Sequence, residues 1–283
     1  MQFSEDGLWG SGATDEFWAI AYSCIFFTHP LAVLGYGSNG PAIFLRPMWG
    51  ETHKDLPRLP LCMEKVAILG GTFDPVHWGH LWMANRAVCQ FGLDRVVWSV
   101  DRTPGHKLHS VLATFEQRRE MVALATAQRP DFGLLPLDTN PSAAGAIDSV
   151  LYLQNLYPEA QLYWIIGADA FQTLPKWPRC GEIGRLCEWL VAGRRTGGFE
   201  ELQTEVSMDA AADKMLETNT VCAVVAQKMS LRGVQIRWQV LAMPAIEVSS
   251  TAIRRYCSQG RAIGHLVPEA VRTYIVNHQL YQS

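Results

Sequence analysis

The sequence predicts an α/β protein built on a doubly wound parallel sheet, because from residue 63 onward short apolar runs alternate with helical patterns. Such alternation needs crossover connections, and crossovers place helices on both faces of a parallel sheet. A second observation is the layout strand, glycine pair, turn, helix over residues 66–80. An open α/β sheet builds a phosphate site in this way, beyond the carboxyl ends of its strands. A third is punctuation: Gly92, Pro158, Gly260 and Pro268 fall where helices stop or start.

Residues 66–69 (VAIL) form the first buried-strand candidate, and 80–91 a helix closed by Gly92 at its C′ position. Asp94 and Arg95 precede a second strand at 96–100. Residues 114–128 read as a helix: Thr114 and Gln117 fit a capping box, with Phe115, Met121, Val122 and Leu124 on the apolar side. A helix at 147–156 is ended by Pro158, and strands follow at 162–166 and 189–192. Residues 197–230, with a glycine pair, acidic residues and an alanine run, are expected to form a helical insertion or lid. A late strand at 236–241 leads to a small C-terminal helical part, 250–259 ending at Gly260 and 268–277 with Pro268 in its first turn.

The chain of 283 residues is 48% hydrophobic and 18% charged, with net charge −3. That balance predicts a soluble globular protein and excludes a nucleic-acid binder held by electrostatics, which would show a basic excess. The seven cysteines (24, 62, 89, 180, 187, 222 and 257) include no C-x-x-C pair and no zinc-like spacing. They read as reduced thiols of a cytoplasmic protein. Composition shifts near residue 60: residues 1–62 are rich in Trp, Gly and Pro without sustained periodicity. They are expected to be a poorly ordered or non-essential N-terminal extension, with the folded domain at 63–283; deleting the extension should leave an active protein. The apolar run at 17–27 follows acidic Glu5, Asp6, Asp15 and Glu16. It is shorter than the ~20 residues of a membrane span and lacks a signal peptide's basic start, so no membrane association is expected.

The chemistry concentrates in GGTFDPVHWGH, Gly70 to His80. Gly70 and Gly71 remove side chains where a ligand could approach the backbone. His77 and His80 flank Gly79, so two imidazoles can converge at a helix start where phosphates would sit. Nucleotidyl transfer depends on positioning and charge stabilisation, and imidazole N–H donors bind phosphate oxygens without a permanent charge. An isolated H-x-G-H is equally a helix cap beside a turn residue; the full string carries the argument further.

That string resembles the G-G-S/T-F-D-P-x-H-x-G-H signature of the nucleotidyltransferase superfamily, and most closely that of the bacterial nicotinate-mononucleotide adenylyltransferases, which make deamido-NAD from ATP and nicotinate mononucleotide. The resemblance covers about residues 63–283. It implies a Rossmann-like nucleotidyltransferase fold, catalytic roles for His77 and His80, and ATP binding by Gly70, Gly71, Thr72, Phe73 and Gly79. It also implies acceptor contact by Asp74.

Four further segments are similar to motifs of that family. VSSTAIRRY (248–256) resembles I-S-S-T-x-I-R; Ser249, Ser250 and Thr251 would meet ATP at a second helix start, and Arg254 would clamp its phosphates as pyrophosphate leaves. IIGAD (165–169) resembles I-I-G-x-D, which implies that Gly167 and Asp169 lie at the ribose. LPKW (174–177) matches L-P-x-W, whose Trp, here Trp177, stacks on the pyridine ring. TPGHK (103–107) resembles the P-P-H-K loop, with Gly105 in place of the second Pro, and places His106 at the acceptor and Lys107 at the reacting phosphates. Arg194, with Arg195, fits the family's basic residue after a strand, on the acceptor side.

The resemblance implies direct in-line attack of the acceptor's phosphate on the α-phosphorus of ATP, with no protein nucleophile. Mg²⁺ would enter with ATP rather than at a protein metal cluster. The partners implied are ATP and a mononucleotide, with no nucleic acid. The family's acceptor loop, S-Y-T/A-x-x-T-L, aligns with 144–150, where its Tyr is absent and Ile147 with Asp148 keeps the register; Ile147 is then an acceptor-side residue. This departure leaves nicotinamide mononucleotide or phosphopantetheine as alternative acceptors, and a non-catalytic nucleotide-binding regulator as a reading from another class.

Overall fold

The computed structural model describes residues 63–102, 112–136, 145–193, 208–243 and 248–282, all within one compact unit, Leu61–Ser283. The expected extension, residues 1–62, lies outside the described residues.

Six strands form one wholly parallel sheet in the order β3-β2-β1-β4-β5-β6. They are β1 (Lys65–Gly71), β2 (Arg95–Val100), β3 (Phe132–Leu134), β4 (Gln161–Gly167), β5 (Glu188–Ala192) and β6 (Arg237–Leu241). Five coincide with the expected apolar runs to within two residues, the ordinary uncertainty of an element's end. The sixth, β3, is a half-buried edge strand of three residues, too short to show a period.

Side-chain alternation builds a core on each face. Along β1, Ala67 and Leu69 join one core and Val66 and Ile68 the other; along β4, Tyr163 and Ile165 oppose Leu162, Trp164 and Ile166. The first core is covered by α1 (Trp78–Phe91), α2 (Phe115–Thr126), α7 (Ser250–Ser258) and α8 (Glu269–Asn277), through Ala84, Ala87, Met121, Val122, Ile253 and Ile275. The second is covered by α3 (Ala146–Leu156), α4 (Ala168–Phe171), α5 (Cys180–Leu186) and α6 (Met208–Ser230), through Ile147, Val150, Phe171, Ile183, Val225 and Met229. The sheet is therefore doubly wound, and its direction of winding reverses between β1 and β4.

The local rules hold where they were strongest. Gly92 closes α1 in the left-handed conformation (φ 62), and the Thr114–Gln117 capping box forms in both directions at 2.9 and 3.2 Å. Two expectations need correction. The 23-residue α6 is neither insertion nor lid over its described length: Cys222, Val225 and Met229 are buried against the sheet, so it is the crossover helix between β5 and β6. Pro268 is the N-cap of α8 rather than a residue of its first turn. Among the described residues, no helix is long and apolar enough to cross a membrane.

Candidate active site

Where the winding reverses, the helices after β1 and β4 leave toward opposite faces, and a crevice opens at the strands' carboxyl ends. β1 ends there at Gly71 and β4 at Gly167, paired through Leu69 and Ile165. The three glycines differ in what surrounds them. A Cβ on Gly70 would lie 2.7 Å from the Trp164 ring, and one on Gly71 3.0 Å from the Phe73 ring. The expected reason for this pair, room for a ligand, is thus corrected: rings of the protein occupy the space. At Gly167 no described atom comes within 4 Å of the corresponding point, so among the described residues this glycine has open space beside it. Since the Trp164 ring cannot swing away from a packed core, Gly70→Ala is expected to lower stability by about 1–3 kcal/mol. An unchanged denaturant midpoint would contradict the packing account.

After β1 the chain turns sharply. Phe73 takes a left-handed conformation (φ 51), rare for a bulky residue, and its buried ring meets His80 edge-on at 4.9 Å and Trp98 at 5.3 Å. His77 is the N-cap of α1, and its backbone N–H donates to Nδ1 of His80 at 3.3 Å. With Nδ1 accepting, a neutral His80 carries its proton on Nε2, the form that can donate to a phosphate oxygen. The His77 ring stacks on His80 with centroids 3.7 Å apart. His77 is only 3% exposed, whereas His80 is half-buried. A Cβ on Gly79 would lie 3.0 Å from the His77 ring, so this glycine makes room for the enclosed imidazole.

The start of α7 packs against the same turn. Ser249 is its N-cap, accepting from the Ala252 N–H at 3.2 Å. The Ser250 hydroxyl donates to the Pro75 carbonyl at 2.9 Å, and Thr251 is exposed. Nη1 of Arg254 donates to the Asp74 carbonyl at 2.7 Å and lies 3.7 Å from the Asp74 carboxylate, while Nη2 reaches the Thr251 hydroxyl at 3.4 Å. Two helix N-termini therefore meet at one turn. Their aligned dipoles favour an anion there, and Arg254, its side chain 15% exposed, adds a fixed positive charge.

Asp74 itself faces inward. It is 2% exposed, and its carboxylate accepts from the Leu112 N–H (2.9 Å), the Ala113 N–H (3.1 Å) and the Tyr281 hydroxyl (2.8 Å) besides pairing with Arg254. The expected acceptor contact is corrected to a buried hub that knits the turn to α7 and to the chain's C-terminal end. Ile147 is corrected likewise: it is fully buried in the second core, and the start of α3 is held by a Ser99–Ser149 hydroxyl pair at 3.0 Å.

Two hub residues were not foreseen. Arg118 donates from Nη1 to the Thr72 carbonyl at 2.7 Å and from Nε to the Ala113 carbonyl. Burial holds its guanidinium below the ordinary arginine value, against the pull of Asp74 and Asp101. Its signal was available: Arg118 lies three residues after Phe115 and four before Val122, on the apolar stripe of α2. Tyr281, the second, gave no such signal. Burial, then the Asp74 charge, push its phenol above the ordinary tyrosine value. The bond it donates is therefore complete below the unfolded-state value and is lost only as alkaline pH climbs through the raised one.

Beyond Gly167, Asp169 is exposed in the short α4, at the carboxyl edge of the sheet as expected. Trp177 is half-buried, its indole N–H donating to the Thr173 hydroxyl at 2.8 Å and its ring edge-on to Trp164 and Trp189. His106, Lys107 and Arg194 lie outside the described residues, as do Gly105 and Arg195.

Fold and site together define a nucleotidyltransferase of Rossmann-like architecture, and the Cytidylyltransferase-like family model matches residues 68–256. A protein of Trichormus variabilis named "Probable nicotinate-nucleotide adenylyltransferase" is 38% identical over 222 residues, 78% of this chain and 99% of the relative. One of the same name from Dehalococcoides mccartyi is 34% identical over 219 residues, 77% of this chain and 97% of its own. The chain belongs to the nicotinate-nucleotide adenylyltransferase family. Among solved structures, the Plasmodium falciparum nicotinic acid mononucleotide adenylyltransferase complexed with NaAD shares the fold, with TM-score 0.56 and 14% identity over 77% of this chain and 97% of that one.

Proposed function

We propose that this protein transfers the adenylyl group of ATP to nicotinate mononucleotide, giving deamido-NAD and pyrophosphate in NAD biosynthesis. The observation that carries the reading is the meeting of two helix N-termini at the turn after β1, each bearing one of the family's phosphate motifs. Relatives matched over nearly their full length bear the corresponding name, which supports the nicotinate acceptor.

In the proposed reaction a phosphate oxygen of the acceptor forms a bond to the α-phosphorus of ATP as the bond to the bridging oxygen of pyrophosphate breaks. Being largely ionised near neutral pH, that phosphate needs no general base. His80 donates from Nε2 to the triphosphate, and the enclosed His77 supports it from behind. Gly70, Gly71, Thr72, Phe73 and Gly79 shape the turn; Ser249, Ser250 and Thr251 present the α7 N-terminus. Arg254 and Lys107 offset the charge that develops on pyrophosphate. Gly167 and Asp169 receive a ribose, Trp177 stacks on the pyridine ring, and His106 and Arg194 complete the acceptor side.

Mg²⁺ would be held by the nucleotide's phosphates and water, and would neutralise phosphate charge. The cytoplasm is the proposed location; the described cysteines are free thiols, and burial pushes that of Cys187 up to about 12.

Pyrophosphate release with each acceptor in turn tests the reading. Nicotinate mononucleotide should give the highest kcat/KM, ahead of nicotinamide mononucleotide and phosphopantetheine. A preference for either of the others would replace the acceptor, and ATP binding without turnover on any would favour a regulator.

A further inference from the structure

Tyr281 stands two residues from the end of the chain and 207 residues from its partner Asp74. It is 4% exposed and takes a left-handed backbone conformation (φ 63), rare for an aromatic residue. Its hydroxyl donates to Oδ1 of Asp74 at 2.8 Å. Oδ1 also receives the Ala113 N–H, while Oδ2 receives the Leu112 N–H and faces Arg254. The phenol thus joins the two N–H groups in fixing the rotation of the carboxylate, and that rotation sets which of its oxygens meets the guanidinium. A guanidinium tied along one edge keeps its fork in a single orientation, which a bidentate hold on phosphate requires.

We propose that Tyr281 is a positioning residue, orienting Arg254 toward the triphosphate through Asp74 without touching ATP. The inference rests on the functional reading only in placing ATP at Arg254. Losing the phenol hydroxyl leaves the side chain's shape intact but removes one of the three hydrogen bonds that hold the carboxylate opposite the guanidinium, and so widens the range of orientations open to both.

ATP affinity measured by isothermal titration on the full chain, in a double-mutant cycle with Arg254→Ala, tests this. Tyr281→Phe should weaken ATP binding about tenfold when Arg254 is present and less than twofold when it is absent, because a residue acting through another loses its effect once that other is gone. Asp74→Asn, which keeps the size and the Oδ1 acceptor, should show the same dependence on Arg254. A merely structural tie would lower the melting temperature and leave the affinity of the folded protein unchanged. Wild-type affinity in both variants, equal losses with and without Arg254, or failure of Tyr281→Phe to fold would each overturn the inference. Wild-type protein that binds ATP but releases no pyrophosphate with any acceptor would overturn the functional reading alone.

Discussion

Replacing His80 by Ala is expected to cut kcat for pyrophosphate release by about a hundred- to a thousandfold while the protein stays folded. That range is typical when one preorganised donor to a developing charge is removed. The structural loss is small by comparison. His80 supplies the acceptor for the His77 N–H, a ring stacked on His77 and an edge for Phe73. Half of a capping box is worth about 1 kcal/mol. Kinetics and thermal unfolding on one preparation separate the two effects. Near-normal turnover would remove His80 from the reaction, and loss of the folded state would make the capping box its main role.

Asp74→Ala is expected to have the largest effect on stability, about 3–5 kcal/mol, the usual cost of removing one partner of a buried ion pair. The substitution strips the acceptor from the Leu112 and Ala113 N–H groups and from the Tyr281 hydroxyl, and leaves the Arg254 guanidinium without its counter-charge. Denaturant unfolding should show a lower midpoint with an unchanged slope. A loss below about 1 kcal/mol would mean that water or a neighbour replaces the carboxylate, and that the hub does not hold the turn.

The parts of this protein legible in its sequence are those that depend on neighbours along the chain. The alternation of Val66 and Ile68 with Ala67 and Leu69 is a local pattern, and so are the Thr114–Gln117 box and the Gly92 stop. The phosphate turn was legible as well, since a helix N-terminus after a strand is itself a local arrangement. What escaped was set by distant contacts. Gly70 reads as space for a ligand until Trp164, from β4, is found lying over it. Asp74 sits within a motif of binding residues, yet its orientation is decided by Leu112, Ala113 and Tyr281. The role of α6 was hidden because its buried residues Cys222, Val225 and Met229 do not stand out along a helix that also exposes the apolar Met215, Leu216 and Val224.

The most direct measurement of the account follows the fate of ATP labelled at the α-phosphorus, incubated with the full chain, Mg²⁺ and nicotinate mononucleotide. In-line adenylyl transfer predicts that the label leaves ATP only as deamido-NAD, with one unlabelled pyrophosphate released for each. Label retained in ATP, or recovered as AMP without deamido-NAD, would contradict it.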